Sequence, residues 1–238
     1  MGSLRLLISK DSIEFATNMK IQKFIKTTLQ DWEGKNSCMI VLSDPNTPCS
    51  DNEMDLDQVL LYIKQNRDFL EAVVISGYEP TGDPELFKLL KMLKALKIKI
   101  KIDTNGAHPE VLDDLIGAKL IDKVCLIILA PLDPAEYKKI ALEDIDTESV
   151  KKTIGILSAS DIKYEFKITI VPGIIDHDSF LRILKCLSER DSIIIQQFDP
   201  ATSSDLRYNT MKPYPVTVLV RMANTAKEHV KHVRIRGT

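Results

Sequence analysis

The chain has 238 residues, 44% hydrophobic and 28% charged, and its 32 basic residues nearly balance 34 acidic ones for a net charge of −2. That is the composition of an ordinary globular domain, without the strongly basic footprint of a general nucleic-acid binder. The longest apolar runs, such as 124–131, are too short to span a bilayer. The apolar start, 1–9, lacks the pattern of a cleaved signal peptide, so a cytoplasmic protein is expected.

In chain order, short runs rich in Val and Ile, or alternating with Lys, predict strands over 38–43, 72–76, 98–104, 124–129, 164–171 and 192–198,. Apolar residues at helical spacing predict helices over 56–66, 84–96, 109–118, 149–158, 179–188 and 214–229, with a short last strand at 233–236. The second and third helices open on a proline at the first helical position, the second behind Asp83 as its cap. Alternating strands and helices predict one α/β domain with a parallel sheet and right-handed crossovers. Chemistry in such folds gathers in the loops after the carboxyl ends of strands. Here those loops are 44–55, 77–83, 105–108, 130–136, 172–178 and 199–208.

The four cysteines, at 38, 49, 125 and 186, form no CxxC or CxxxC pair, which argues against a disulfide framework. Cys125 and Cys186 fall in apolar segments, where a free cysteine acts as a small hydrophobe. The histidines at 108, 177, 229 and 232 show no HxH or HExxH spacing, so no zinc site is expected. His229 and His232 are expected at the end of the last helix, where cations complement the dipole. Asp176 reads as the cap of the helix that follows it. Lys88, Lys91 and Lys94 read as the solvated face of an outer helix.

Several strings then occur in a telling order. Lys26-Thr27-Thr28-Leu29-Gln30-Asp31-Trp32-Glu33-Gly34-Lys35 is similar to KTSLIDYPGK, and Val74-Ile75-Ser76-Gly77-Tyr78-Glu79-Pro80-Thr81 to VISGGEPT. Asp103-Thr104-Asn105-Gly106 matches DTNG, Val171-Pro172-Gly173 matches VPG, and Gln196-Gln197-Phe198 before Pro200 is similar to QQFxP. With the closing Val233-Arg234-Ile235-Arg236-Gly237, these make residues 19–238 resemble the radical S-adenosylmethionine (SAM) activating proteins of anaerobic ribonucleotide reductase. Pyruvate formate-lyase activating enzymes are their cousins.

The resemblance implies an α/β partial (β/α)6 TIM-like barrel over 19–238, preceded by an extension, 1–18. It also implies a CxxxCxxC loop after the first strand holding a four-iron four-sulfur cluster, whose free iron binds SAM. Thiolates suit that role because they are soft, anionic iron ligands. Here the three ligand positions fall on Pro45, Cys49 and Asn52, and Cys49 is the only cysteine between 44 and 55. Tyr78 stands where the family has a glycine that lets SAM approach the main chain. The family's MDIKAP aligns with Leu126-Ile127-Ile128-Leu129-Ala130-Pro131. Alternation along a strand then implies that Ile127 and Leu129 remove both charges from one face.

These departures predict a non-catalytic relative without a metal site or cofactor, working as a protein-binding subunit or assembly factor in a complex. The alternatives are an active activator of a glycyl-radical enzyme, with SAM and an atypical or partner-completed cluster, and a small-molecule binder. Gly77, Glu79, Asp103, Thr104 and Asn105 are the candidate remnants of the SAM pocket. For the run 103–106 a plain strand-end turn is the preferred reading, since Asn-Gly is a common turn pair. Cys49 reads as a free loop thiol, because one thiolate does not hold a cluster.

Overall fold

A computed structural model of the protein describes residues 19–44, 55–140, 145–202 and 208–237. The extension 1–18 and the loop with Pro45, Cys49 and Asn52 lie outside the described residues. Eight strands form one sheet in the order of the chain: β1 (Ile21–Thr28), β2 (Ser37–Leu42), β3 (Ala72–Gly77), β4 (Lys99–Thr104), β5 (Lys123–Ile128), β6 (Lys163–Ile170), β7 (Ser192–Gln197) and β8 (His232–Arg236). β1 pairs antiparallel with β2, and every later pairing is parallel. The helices α1 (Leu56–Gln65), α2 (Leu86–Ala95), α3 (Pro109–Gly117), α4 (Pro134–Ile140), α5 (Thr147–Ala159), α6 (His177–Leu184) and α7 (Val216–Ala226) supply the crossovers. The parallel sheet is the one that the strand–helix alternation predicts and the α/β partial barrel the one that the family resemblance implies, with an edge strand on either side of the six internal ones.

Alternation within each strand sorts the residues onto two faces. One face presents Ile40, Val73, Ile75, Ile100, Ile102, Val124, Leu126, Phe166, Ile168 and Ile195 to the helices, in the main apolar core. The other face is the barrel interior. Near its floor Trp32, from the turn after β1, packs on Met39, Ala72 and Val74. Arg236 on β8 makes an ion pair with Asp31 beyond β1, so the first and last strands face each other across the interior although no backbone ladder joins them.

Helix entry follows local chemistry. Asp55, Asp146 and Asp176 cap α1, α5 and α6, each carboxylate accepting a first-turn N–H; Asp176 is the predicted cap. α2 corrects its predicted start. Asp83 accepts from Glu85 N at 2.8 Å in a turn, and the helix begins at Leu86 behind Glu85, which makes no capping bond. α3 does carry Pro109 in its first turn. α4 falls partly in a predicted loop, and it is anchored by Tyr137, buried at 1% exposure. Cys186 is exposed, because α6 ends at Leu184 before the apolar period reaches it. His232 opens β8 and not the end of a helix. Among the described residues, no helix is long and apolar enough to cross a membrane.

Candidate functional site

Two clusters occupy the carboxyl end and the interior of the barrel. The first is built on Glu79, just past β3. Its carboxylate accepts from Thr81 N at 3.1 Å, from Thr81 Oγ1, from Thr104 Oγ1 at 2.6 Å and from Asn105 N at 2.5 Å. Three of these donors fall on Oε1 and one, Asn105 N, on Oε2; since each carboxylate oxygen has about two acceptor positions, Oε2 keeps one open. Thr104 Oγ1 in turn accepts from Gly106 N at 3.0 Å, and Asn105 Oδ1 from Ala107 N at 2.9 Å. The knot joins the loops after β3 and β4.

Gly77 has a different task. Its φ of +107° is a conformation open to glycine, and a Cβ there would lie 2.3 Å from the carbonyl oxygen of Leu42. The next residue, Tyr78, donates its N–H to that same oxygen at 3.1 Å. The missing side chain lets β3 close against β2.

The second cluster lies inside the barrel. Lys101 Nζ donates to Glu165 Oε1 at 2.7 Å and to the carbonyl of Asp31 at 2.6 Å, and stands 3.5 Å from Asp103. Lys123 reaches Glu165 at 2.7 Å, Lys167 reaches Asp103 at 2.9 Å, and Ser76 Oγ donates to Asp103 at 3.2 Å. Arg234 bridges Glu33 at 2.8 Å and Glu165 at 3.4 Å. Burial alone would raise the Asp103 carboxyl, but the ammonium groups of Lys167 and Lys101 outweigh it and hold it down at about 2. Burial opposes charge on Lys101 as well, yet Asp103 and Glu165 raise its pKa above the usual lysine value. Asp103, Lys101, Glu165 and Lys167 each stay ionised because their neighbours are,.

The five sequence-chosen residues therefore divide. Glu79, Thr104 and Asn105 meet in one knot, Asp103 belongs to the ion cluster, and Gly77 serves the β2–β3 seam. The expected loss of charge from the interior is corrected. Ile127 does pair with Lys167 on that face, but β4, β6 and β8 fill the same interior with ions. Leu129 lies past the end of β5 and packs against the main core, so the two residues do not share one environment. The sequence signal for the cluster was the alternation Lys99-Ile100-Lys101-Ile102-Asp103 and Tyr164-Glu165-Phe166-Lys167. Strands of a parallel sheet covered on both faces read as nearly continuous apolar runs, so charges at every second position mark a polar interior.

Residues 38–186 match the profile of the Radical SAM superfamily. The chain belongs to that superfamily. A protein of Methanocaldococcus jannaschii with the provisional designation of glycyl-radical enzyme activating enzyme is 32% identical over 173 residues, 71% of each chain. Among solved structures, a domain of the pyruvate-formate lyase-activating enzyme from Bacteroides vulgatus superposes with a TM-score of 0.57. It is 18% identical and covers 70% of this chain and 99% of that one. Streptococcus suis SuiB, bound to its precursor peptide, gives a TM-score of 0.59 at 18% identity, over 80% of this chain and 44% of SuiB. These two likenesses carry the radical SAM fold.

Among the described residues, the three cysteines are dispersed over the fold. Cys38 is fully buried on the helix-facing side of β2, beside the carbonyl of Ala72, and burial pushes its thiol up to about 12. Cys125 is buried on the interior side of β5, where burial and Asp103 push its thiol up to about 11. β2 and β5 are three strand spacings apart, roughly 14 Å, and the two thiols face opposite sides of the sheet. Cys186 is on the outer surface beyond α6. The three described thiols therefore lie in three separate environments. Among the described residues, no group of three His, Cys, Asp or Glu side chains is placed to hold a metal ion.

Proposed function

We propose that this radical SAM-fold chain binds a large protein partner of the glycyl-radical enzyme class, and that its own residues no longer support the cluster-dependent step. The protein is then a cytoplasmic subunit or assembly factor, with 19–238 as its binding domain and 1–18 as an appended extension. The observation that carries this reading is the dispersal of the thiols: Cys38 and Cys125 lie buried on opposite faces of the sheet and Cys186 outside it. Pro45 and Asn52, at the positions where the family has cysteines, supply no thiolate. Tyr78, in place of glycine, and Glu79, its carboxylate taken by four donors within the chain, support the loss of the SAM contact. Of the five pocket candidates, Gly77 and Asn105 keep surface exposed to a ligand, and Glu79, Asp103 and Thr104 are buried supports.

Anaerobic expression followed by iron and sulfide analysis after reconstitution tests the reading. Substoichiometric iron that S-adenosylmethionine does not perturb is expected. Four irons per chain with turnover of SAM would overturn it. Affinity purification from the native host is expected to recover a larger enzyme with the chain.

A second reading is favoured by the 32% identity to a designated activating enzyme over 71% of the chain. In it the chain is an active activator whose cluster is completed by ligands from its partner. Iron that appears only when the chain is reconstituted together with the co-purified partner would select this reading over the first.

A further inference from the structure

Among the described residues, β1 is the outer strand of the sheet and pairs with β2. The crossover helices cover the later strands, and the helix side of β1 meets the flank of α1. A groove of about 290 Å³ runs between them, lined by Phe24 and Lys26 of β1 and by Gln58, Leu61, Tyr62 and Gln65 of α1. Its floor is rigid. Phe24 and Tyr62 meet edge to face at 5.3 Å, and the Lys26 ammonium stands 5.5 Å from the Tyr62 ring centre. Leu61 is 54% exposed in the middle of this stripe, with a glutamine amide on either side of it along the helix.

The charge of the edge says what fits it. The strand has no acidic residue, and both Lys23 and Lys26 are exposed. Lysines on an edge strand oppose pairing with a second copy of the same edge, since like charges would face one another. They favour a strand of opposite charge. We propose that the β1 edge and its groove form a strand-addition site for an extended, acidic segment of a protein partner. Alternate apolar side chains of that segment enter the groove at Leu61 and Phe24, beside the aliphatic stem of Lys26, and its carboxylates, on the other face of the added strand, lie along Lys23,. Main-chain bonds to β1 give affinity and the groove gives selectivity, as in other strand-addition sites. The idea rests on the reading that the chain works by binding a protein, and it places that contact on the side of the barrel, away from the carboxyl ends of the strands.

The test uses the full chain and a labelled ten-residue peptide alternating Val or Ile with Glu, beside a control with Lys in place of Glu. Fluorescence anisotropy is expected to show saturable binding of the acidic peptide alone, weakened at least tenfold by Leu61→Glu and by Lys23→Glu. Both side chains are exposed, and an unchanged thermal melt verifies folding of each variant. Hydrogen exchange of β1 amides is expected to slow when the acidic peptide is bound. Equal binding of the two peptides, binding indifferent to both variants, or no saturation at millimolar peptide would overturn the proposal. A homodimer dissolved by Leu61→Glu would also overturn it, by giving the groove to a second copy. Recovery of a partner from the host together with any of these failures would leave the functional reading standing and remove only this site.

Discussion

The two faces of the sheet follow opposite rules. On the helix side, strands β2 to β7 present Ile, Val, Leu and Phe to a continuous apolar core, and each residue there is replaceable by another of similar volume at modest cost. On the interior side, β4, β5, β6 and β8 present Lys101, Asp103, Lys123, Glu165, Lys167, Arg234 and Arg236, nearly all paired at 2.7–3.5 Å. A buried ion cluster of this kind adds little net stability over a packed apolar one, but it punishes the loss of any one member. The outer face therefore specifies that a barrel forms. The inner face specifies which strands meet across it, and among the described residues it leaves one buried carboxylate oxygen, Asp103 Oδ1, without a hydrogen-bond partner.

That contrast is most strongly tested by Lys101→Met. It leaves Glu165 and Asp103 short of a buried cation, and a loss of about 3–5 kcal/mol is expected, read from urea unfolding. A helix-side change of similar size, Ile102→Val, is expected to cost only about 1 kcal/mol; equal effects would erase the distinction between the faces.

Next comes Glu79→Ala, which strips the acceptor from Thr81, Thr104 and Asn105. A loss of about 2–3 kcal/mol is expected, with faster hydrogen exchange confined to the loops after β3 and β4. Exchange spreading into β6 would mean that the knot and the ion cluster are one unit.

The third test is acid. The Lys167 and Lys101 ammonium groups hold the buried Asp103 carboxyl at about 2 in the folded protein, below the 3.8 of an unperturbed aspartate. A lowered folded pKa contributes stability that is complete above the unfolded value and disappears as pH falls through the folded one. The expected contribution is about 2 kcal/mol, lost between roughly pH 4 and pH 2. The urea midpoint of the wild type should fall over that window more steeply than that of Asp103→Asn. The smallest effect is expected for Lys152→Ala, which removes an exposed pair with Glu110. Surface pairs of this kind contribute little, and the melting temperature should not move measurably.

Much of this architecture is legible locally. The six internal strands are readable because Val and Ile runs and their turn residues are near neighbours in sequence, and Asp176 announces α6 one turn ahead. β1 is not readable in the same way. Register shifts on either side of Lys23–Ile25 break its alternation, and as an edge strand it mixes Gln, Lys and Thr with Phe and Ile. α4 is obscured because a helix of 7 residues carries too few periods to stand out, and it is held by the burial of Tyr137.

The sequence by itself determined the six internal strands and most of the helices between them, the membership of the radical SAM superfamily and the supply of thiols, since each depends on residue identity and short-range pattern. The tertiary structure decided which polar groups meet. Lys101 and Glu165 are 64 residues apart and Asp31 and Arg236 are 205 apart, and they meet because the sheet curls until its edges face one another. Glu79 and Asn105 were both chosen from the sequence as ligand contacts. Only the closing of the β3 loop onto the β4 loop made one the support of the other.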